Sequence, residues 1–399
     1  ELLIITSSIC SLYAREAVNL LGLDSQVAIL KLGTTWPLPP KLLETHLSRC
    51  SRILFVEEVL SFLEENVKVL AAELGPVIGT KTFYGKHSGN IPMVNELNPD
   101  IVVDALAKIF EMDYQPTDDT YQKRAAQIAV PGAPPRQTTF CPGCPHRASF
   151  FSINKVLAMD NRKGFTCGDI GCYSMGLLSG GFFTLKTLHA MGSGTGLASG
   201  FGKMARFGMT QPVISVCGDS TFFHAAMPPL VNAIHNQSNI IMVILDNSGT
   251  AMTGFQPHPG LGIDATGTPA PKIDIPAVAR AMGARVEVCD PFDLEATQNT
   301  LFDLLEDTDG AKVLVLRQIC ALSPEKKNTR MYTMTVNPEQ CMGEDCGCNK
   351  LCTRVFSCPG LIWDHQSGRS VINSVICTGC GVCASICPAG AIKKEEAHA

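Results

Sequence analysis

The chain has 399 residues, 45% of them hydrophobic and 17% charged, with a net charge of −5 at pH 7. That is enough apolar material for roughly two to four domains with buried cores, and an acidic balance with no clustered basic stretch excludes a nucleic-acid-binding surface. No apolar run is long enough to span a bilayer, and eighteen cysteines without an export signal point to a soluble protein in a reducing, cytoplasmic setting, not a secreted disulfide scaffold.

The first elements are short apolar runs at residues 2–7 (LLIITS), 26–32 (QVAILKL) and 51–59 (SRILFVEEV), separated by helix-like stretches. Alternation of this kind predicts a parallel, doubly wound α/β unit, here residues 1–111. Within it Pro37, Pro39 and Pro40 open a helix, and Glu57 and Glu58 end a strand. With no partner group in view, a structural or interface role for these two glutamates outweighs a catalytic one. The chain starts at Glu1, directly on a strand-like run, so a preceding segment is expected. Residues 112–136 turn polar and proline-rich and read as a surface linker.

A second α/β domain is predicted over residues 137–330, with strands at 212–219 (PVISVCGD), 239–247 (NIIMVILDN) and 312–319 (KVLVLRQI). Ligands of open α/β sheets bind at the carboxyl ends of strands. At two of those ends stand Gly218-Asp219-Ser220 and, after twenty-six intervening residues, Asn247. This pattern resembles the thiamine-diphosphate motif of transketolase-type and 2-oxoacid-processing enzymes. Asp219 and the Asn247 amide are hard oxygen donors suited to Mg2+ carrying a diphosphate, with a backbone carbonyl near Gly249 as a third. A helix beginning near Phe222 would turn its N-terminus to the anion, and the small residues from His189 to Gly196 open a second helix. A lone Gly-Asp-Ser is also what a plain strand-to-turn junction looks like; the agreement of several features favours the cofactor site.

Nine cysteines crowd residues 341–387. The last four, Cys377, Cys380, Cys383 and Cys387-Pro388, have the C-x2-C-x2-C-x3-C-P spacing of a [4Fe-4S] site. Disulfides and zinc are the alternatives; the large non-secreted chain argues against the first and the triple spacing against the second. Residues 331–399 are thus predicted to form a small α+β ferredoxin-like domain. Its first half, with Cys341, Cys346, Cys348, Cys352 and Cys358-Pro359, is irregular. By analogy with two-cluster ferredoxins, Cys358 would join Cys377, Cys380 and Cys383, and Cys387 would join three of the irregular set. Spacing does not decide which three, nor whether the second site holds a full cube or a degenerate one.

The segments CPGCPHR (141–147), GDIGCYSMG (168–176), VCGDSTFFHAAMPPLVNA (216–233) and LDNSGTAMTGFQPHPG (245–260), followed by the cysteine tail, resemble α subunits of the indolepyruvate type in the 2-oxoacid:ferredoxin oxidoreductase family. KLGTTWPLPP (31–40) and VEEV (56–59) are similar to the family's transketolase C-terminal-like domain. The resemblance implies thiamine diphosphate, with Mg2+ on Asp219, Asn247 and Gly249 and with Gly171, Gly218, Ser220 and Thr253 beside the cofactor. It implies a third cluster on Cys141, Cys144, Cys172 and Cys320; Cys167 competes with Cys172, and C-x2-C alone also fits zinc or two free thiols. His146 would face the thiazolium and handle a proton, although a turn histidine is as often a backbone hydrogen-bonder.

The implied reaction is oxidative decarboxylation of aryl 2-oxoacids with coenzyme A, reducing ferredoxin, in a hetero-oligomer with a β subunit. The family's pyrimidine-binding domain, whose Glu activates thiamine, does not precede Glu1, so this chain alone is expected to be inactive, as a fragment or as part of a split enzyme. Two competing functions are an electron-relay subunit with a vestigial thiamine site and a non-oxidative 2-oxoacid decarboxylase; the second leaves the cysteine tail without a purpose.

Overall fold

The apolar runs are strands in the structure, a computed structural model that describes residues 1–115, 117–132, 138–326 and 329–396. Two units are present, residues 1–135 and 136–399. In the first, β1 (Leu2–Ser7), β2 (Val27–Leu32), β3 (Arg52–Val56) and β4 (Thr82–Tyr84) form a parallel sheet in the order β2-β1-β3-β4. β1 is hydrogen-bonded on both sides, and Leu2, Leu3, Ile4 and Ile5 are all buried, which explains a continuous apolar run in place of alternation.

Pro40 is the first residue of the helix Pro40–Leu47, a position where its missing N–H leaves no hydrogen bond unmade. Glu57 and Glu58 lie just beyond β3. The Glu57 carboxylate accepts from Leu63 N at 2.6 Å and Glu64 N at 2.9 Å, the first turn of the helix Phe62–Glu73, and Glu58 accepts from Leu97 N at 3.1 Å. Both glutamates therefore hold local backbone, Glu57 at a helix end that favours a negative charge.

The expected linker at 112–136 contains a helix, Asp119–Gly132. Asp118 accepts from Tyr121 N at 2.7 Å at its start, and the Lys, Arg, Ala and Gln that follow are strong helix formers. Its exposed residues explain why polarity alone suggested a linker. Residues 133–137 lie outside the described part.

In the second unit β5 (Phe165–Gly168), β6 (Leu185–Leu188), β7 (Val213–Gly218), β8 (Ile240–Asp246), β9 (Arg285–Cys289) and β10 (Ala311–Arg317) form a parallel sheet in the order β6-β5-β7-β8-β10-β9. β7 and β8 are central and every one of their residues is buried. The helix after β7 begins at Asp219, three residues earlier than expected, and widens to a π-helical turn over Phe222–Ala226 before Met227–His235. Pro228 and Pro229 lack the N–H groups an α-helix would use there, which accounts for the wide turn.

The cysteine tail carries two antiparallel pairs, β11 (Tyr332–Val336) with β14 (Ile392–Glu396) and β12 (Leu361–Asp364) with β13 (Arg369–Ile372), and a short helix Val382–Ile386. Its core of Met334, Phe356, Leu361, Val382 and Ile386 continues into Ala148 and Leu294 of the preceding α/β part. The composition boundary at 330/331 therefore runs inside one unit. Among the described residues no helix is long and apolar enough to cross a membrane.

Candidate functional site

β7 and β8 pair with Gly218 opposite Leu245, which sets Asp219 and Asn247 at neighbouring strand ends. Asp219 is 2% exposed. Its Oδ1 accepts from Ser220 N at 2.8 Å and its Oδ2 from Gly249 N at 3.1 Å, so the strand-end loops grip one carboxylate. Asn247 is also buried; among the described residues its side-chain amide makes no hydrogen bond, while its carbonyl accepts from Cys320 N at 3.0 Å. The Gly249 carbonyl accepts from Ala251 N at 2.9 Å, which leaves one lone pair for a cation. Hard oxygens on two adjacent strand ends, one amide uncommitted, fit Mg2+.

Thr253 does not join this group. It is exposed in the turn Ala251–Thr253, and its hydroxyl donates to Gln256 Oε1 at 2.5 Å. His258, whose role the sequence reading did not assign, does join it. The ring is 1% exposed, its Nε2 is 3.2 Å from Asp219 Oδ2, and it stacks on Phe223 with centroids 5.8 Å apart. Gly260 N donates to Nδ1 at 3.1 Å, which assigns the proton of the neutral ring to Nε2. That Nε2 has no well-aligned hydrogen-bond acceptor. The one signal in the sequence was its setting between Pro257 and Pro259, which stiffens the loop carrying it.

Beside this pair Asp169 directly follows β5. Its Oδ1 accepts from the Tyr173 hydroxyl at 2.5 Å and its Oδ2 from Gly192 N at 2.9 Å, and the Tyr173 oxygen is 2.9 Å from Thr221 Oγ1. Burial pushes the Asp169 carboxyl up to about 6 and holds the Tyr173 phenol protonated. Gly171 lies directly against the Tyr173 ring. His146, in the first turn of the helix Pro145–Met159, sits edge-on to Phe140 and Tyr173. Burial lowers its pKa to about 4 against the opposing pull of the Asp219 charge, so the imidazole is neutral near pH 7.

Thirteen of the eighteen cysteines are those to which the sequence assigned clusters. Cys141 and Cys144 form a turn, with Cys144 N donating to Cys141 O at 3.2 Å; Cys172 opens a short 3-10 helix and Cys320 follows β10. Burial pushes Cys144 up to about 12, and the charges of Cys141 and Cys320 add to the rise; burial likewise raises Cys172, with Cys320 and Cys141 adding. Cys167, by contrast, is packed in the core of the sheet.

Cys358, Cys377, Cys380 and Cys383 wall one cavity, and Cys341, Cys346, Cys348, Cys352 and Cys387 another. The tail cysteines cross between cavities in the way the two-cluster analogy implies. Left-handed Gly379 (φ +69°) and Gly381 (φ +83°) make the tight loop that returns three thiols to one cavity. Gly379 N donates to Cys377 Sγ at 3.4 Å, Ala391 N to Cys387 Sγ at 3.3 Å, and Cys352 Sγ is 3.1 Å from Ser370 Oγ. Among the described residues no three His, Cys, Asp or Glu side chains converge on a single metal ion. The four thiols around the cavity of Cys358, Cys377, Cys380 and Cys383 instead match in number the ligands of a cube.

Residues 169–315 match the family described as thiamine pyrophosphate enzyme, C-terminal TPP binding domain, and residues 370–393 match the 4Fe-4S binding domain. Indolepyruvate oxidoreductase subunit IorA of Pyrococcus horikoshii is 39% identical over 412 residues, covering 98% of this chain and 60% of the relative. The IorA subunits of Methanothermobacter marburgensis and Archaeoglobus fulgidus are 36% and 35% identical, covering 96% and 99% of this chain and 58% and 60% of theirs. A solved 2-oxoglutarate:ferredoxin oxidoreductase of Magnetococcus marinus aligns with 47% of this chain and 66% of its own at 20% identity and a TM-score of 0.40. The chain spans about three fifths of the length of these curated relatives. With that identity along nearly all of its own length, and with both matched domains, the chain is a homologue of the indolepyruvate oxidoreductase subunit IorA.

Proposed function

We propose that the chain is the thiamine-binding and electron-transferring part of a 2-oxoacid:ferredoxin oxidoreductase that acts on aryl 2-oxoacids with coenzyme A, together with a β subunit. The observation that carries this reading is the 3.0 Å bond from Cys320 N to Asn247 O: it ties one cysteine of the nearest set to one oxygen donor of the diphosphate site. A non-oxidative decarboxylase has no use for the cysteine sets themselves.

Asp219, Asn247 and the Gly249 carbonyl would hold Mg2+, with Gly218 and Ser220 beside the diphosphate and Gly171 lining the same end of the sheet. When bound, thiamine diphosphate supplies the decarboxylation chemistry and the clusters supply one-electron acceptors. The residues around them exclude water and fix protons. His146 presents a neutral imidazole, suited to donating or orienting a hydrogen bond more than to storing a proton. Tyr173, protonated, braces Asp169 and Thr221, two residues beyond Asp219. We assign a cube to Cys358, Cys377, Cys380 and Cys383, a second to Cys387 with three of Cys341, Cys346, Cys348 and Cys352, and a third to Cys141, Cys144, Cys172 and Cys320.

The aryl preference follows from the names of the relatives. It is tested by comparing indolepyruvate, phenylpyruvate and pyruvate as electron donors for dye reduction by the complete enzyme containing this chain and its β subunit. The expected order puts both aryl substrates first; a strong preference for pyruvate would remove the aryl assignment.

A further inference from the structure

Among the described residues Arg147 is the bulkiest fully enclosed side chain, at 1% exposure. Its Nη2 donates to Phe140 O at 2.6 Å and Thr139 Oγ1 at 3.1 Å, and its Nη1 donates to Phe356 O at 3.0 Å. Phe140 immediately precedes Cys141, and Phe356 stands two residues before Cys358, so one guanidinium joins the backbones that carry two different cysteine sets. The rings of the same two phenylalanines flank it at 5.7 and 6.0 Å. The two loops also touch: Gly143 lines the cavity of Cys358, Cys377, Cys380 and Cys383, and a Cβ there would run into the Thr378 hydroxyl.

What the guanidinium lacks is a counter-ion. Among the described residues it forms no salt bridge, and its Nε has no partner. Two carbonyls and a hydroxyl accept three of its five N–H donors without neutralising its charge, and an unpaired buried cation is strongly unfavourable. Burial weakens its hold on the proton, and the groups that oppose this are Cys358, Cys144, Cys141 and Cys380, which belong to both sets.

We propose that Arg147 is the shared counter-charge of two iron–sulfur sites, those of Cys141/Cys144 and of Cys358/Cys377/Cys380/Cys383, and that its positive charge governs how readily each takes up an electron. The inference rests on the cluster assignments above. A cube held by thiolates becomes one unit more negative on gaining one electron, and a cation fixed beside it in a low-dielectric interior favours that reduced form. Arg147 is in this role a positioning and tuning residue.

The test is an anaerobic redox titration of the whole chain followed by electron paramagnetic resonance, with iron and sulfide counted on each sample, for the wild type, Arg147→Gln and Arg147→Lys. In Arg147→Gln the reduced-to-oxidised ratio at a fixed potential should fall about tenfold, 59 mV for a one-electron couple, with unchanged iron; Arg147→Lys should stay near the wild type. Loss of iron in Arg147→Gln but not in Arg147→Lys also supports the counter-charge. Intact clusters with unmoved potentials in Arg147→Gln, equal shifts in both variants, or loss of iron from both would overturn it. A wild type without iron would sink the cluster assignment itself, and it is measured before either variant.

Discussion

Replacing Asp169 by Asn should change how the second unit's stability depends on pH. The carboxyl is fully buried and accepts from the Tyr173 hydroxyl and Gly192 N. Burial outweighs those bonds and lifts its pKa from an ordinary 3.8 to about 6. The folded state therefore holds this proton more tightly than the unfolded chain does. The resulting stability is fully present below pH 3.8 and is lost as pH rises through about 6. The whole window amounts to about 3 kcal/mol, and about 2 kcal/mol of it falls between pH 4.5 and 7.

Asn cannot titrate, so the stability of Asp169→Asn relative to wild type should rise by about 2 kcal/mol across that range. Urea unfolding at several pH values measures it. Trp36 and Trp363 are the two tryptophans, and a Trp36→Phe background leaves Trp363 to report the second unit. Taking the difference between variants removes other titrating groups. His146 is one such group; its pKa, lowered to about 4, makes stability fall as pH drops from 6.5, the opposite sense. A flat difference, or one that falls with rising pH, would refute the argument.

Asp219→Asn keeps the shape but removes the charge from a carboxylate that accepts two backbone N–H bonds. Binding of thiamine diphosphate with Mg2+, followed by calorimetry, should weaken about 10- to 100-fold, the ~1.5–3 kcal/mol of a charge-assisted hydrogen bond; unaltered affinity would remove Asp219 from the site. His258→Ala deletes the Phe223 stacking partner and the acceptor for Gly260 N, so unfolding should be easier by about 2 kcal/mol, a value that chemical denaturation can check. Cys383→Ser removes a buried thiol from the cavity of Cys358, Cys377 and Cys380; about four iron atoms per chain should be lost while those on the other sets remain, and an unchanged iron count would mean that no cube sits there.

The sheets were legible because parallel strands buried on both faces are short unbroken apolar runs: Ile240–Asp246 could hardly be anything else. Asp219 and Asn247 were legible because ligand-bearing residues follow such runs directly. The crossing of Cys358 and Cys387 between cavities was legible only through the analogy with two-cluster ferredoxins, because spacing places the three thiols of the regular loop and not the partners that come from the irregular half. His258 was not legible as a site residue: the fold, not the spacing, brings it to Asp219 from thirty-nine positions away. Nor was Arg147, since only the packed tail shows that Phe140 and Phe356 present carbonyls to one guanidinium. The helix at 119–132 escaped because residues 119–129 are all exposed and carry no buried apolar stripe, and composition reports burial better than backbone shape.

The central claim is that one chain carries both a thiamine diphosphate site and iron–sulfur clusters. Iron, acid-labile sulfide and thiamine diphosphate counted on the same anaerobically purified sample test it most directly. The account predicts all three together, with about twelve iron atoms for three filled cubes. Iron without thiamine would instead identify an electron relay, and thiamine without iron a simple decarboxylase; either result would contradict it.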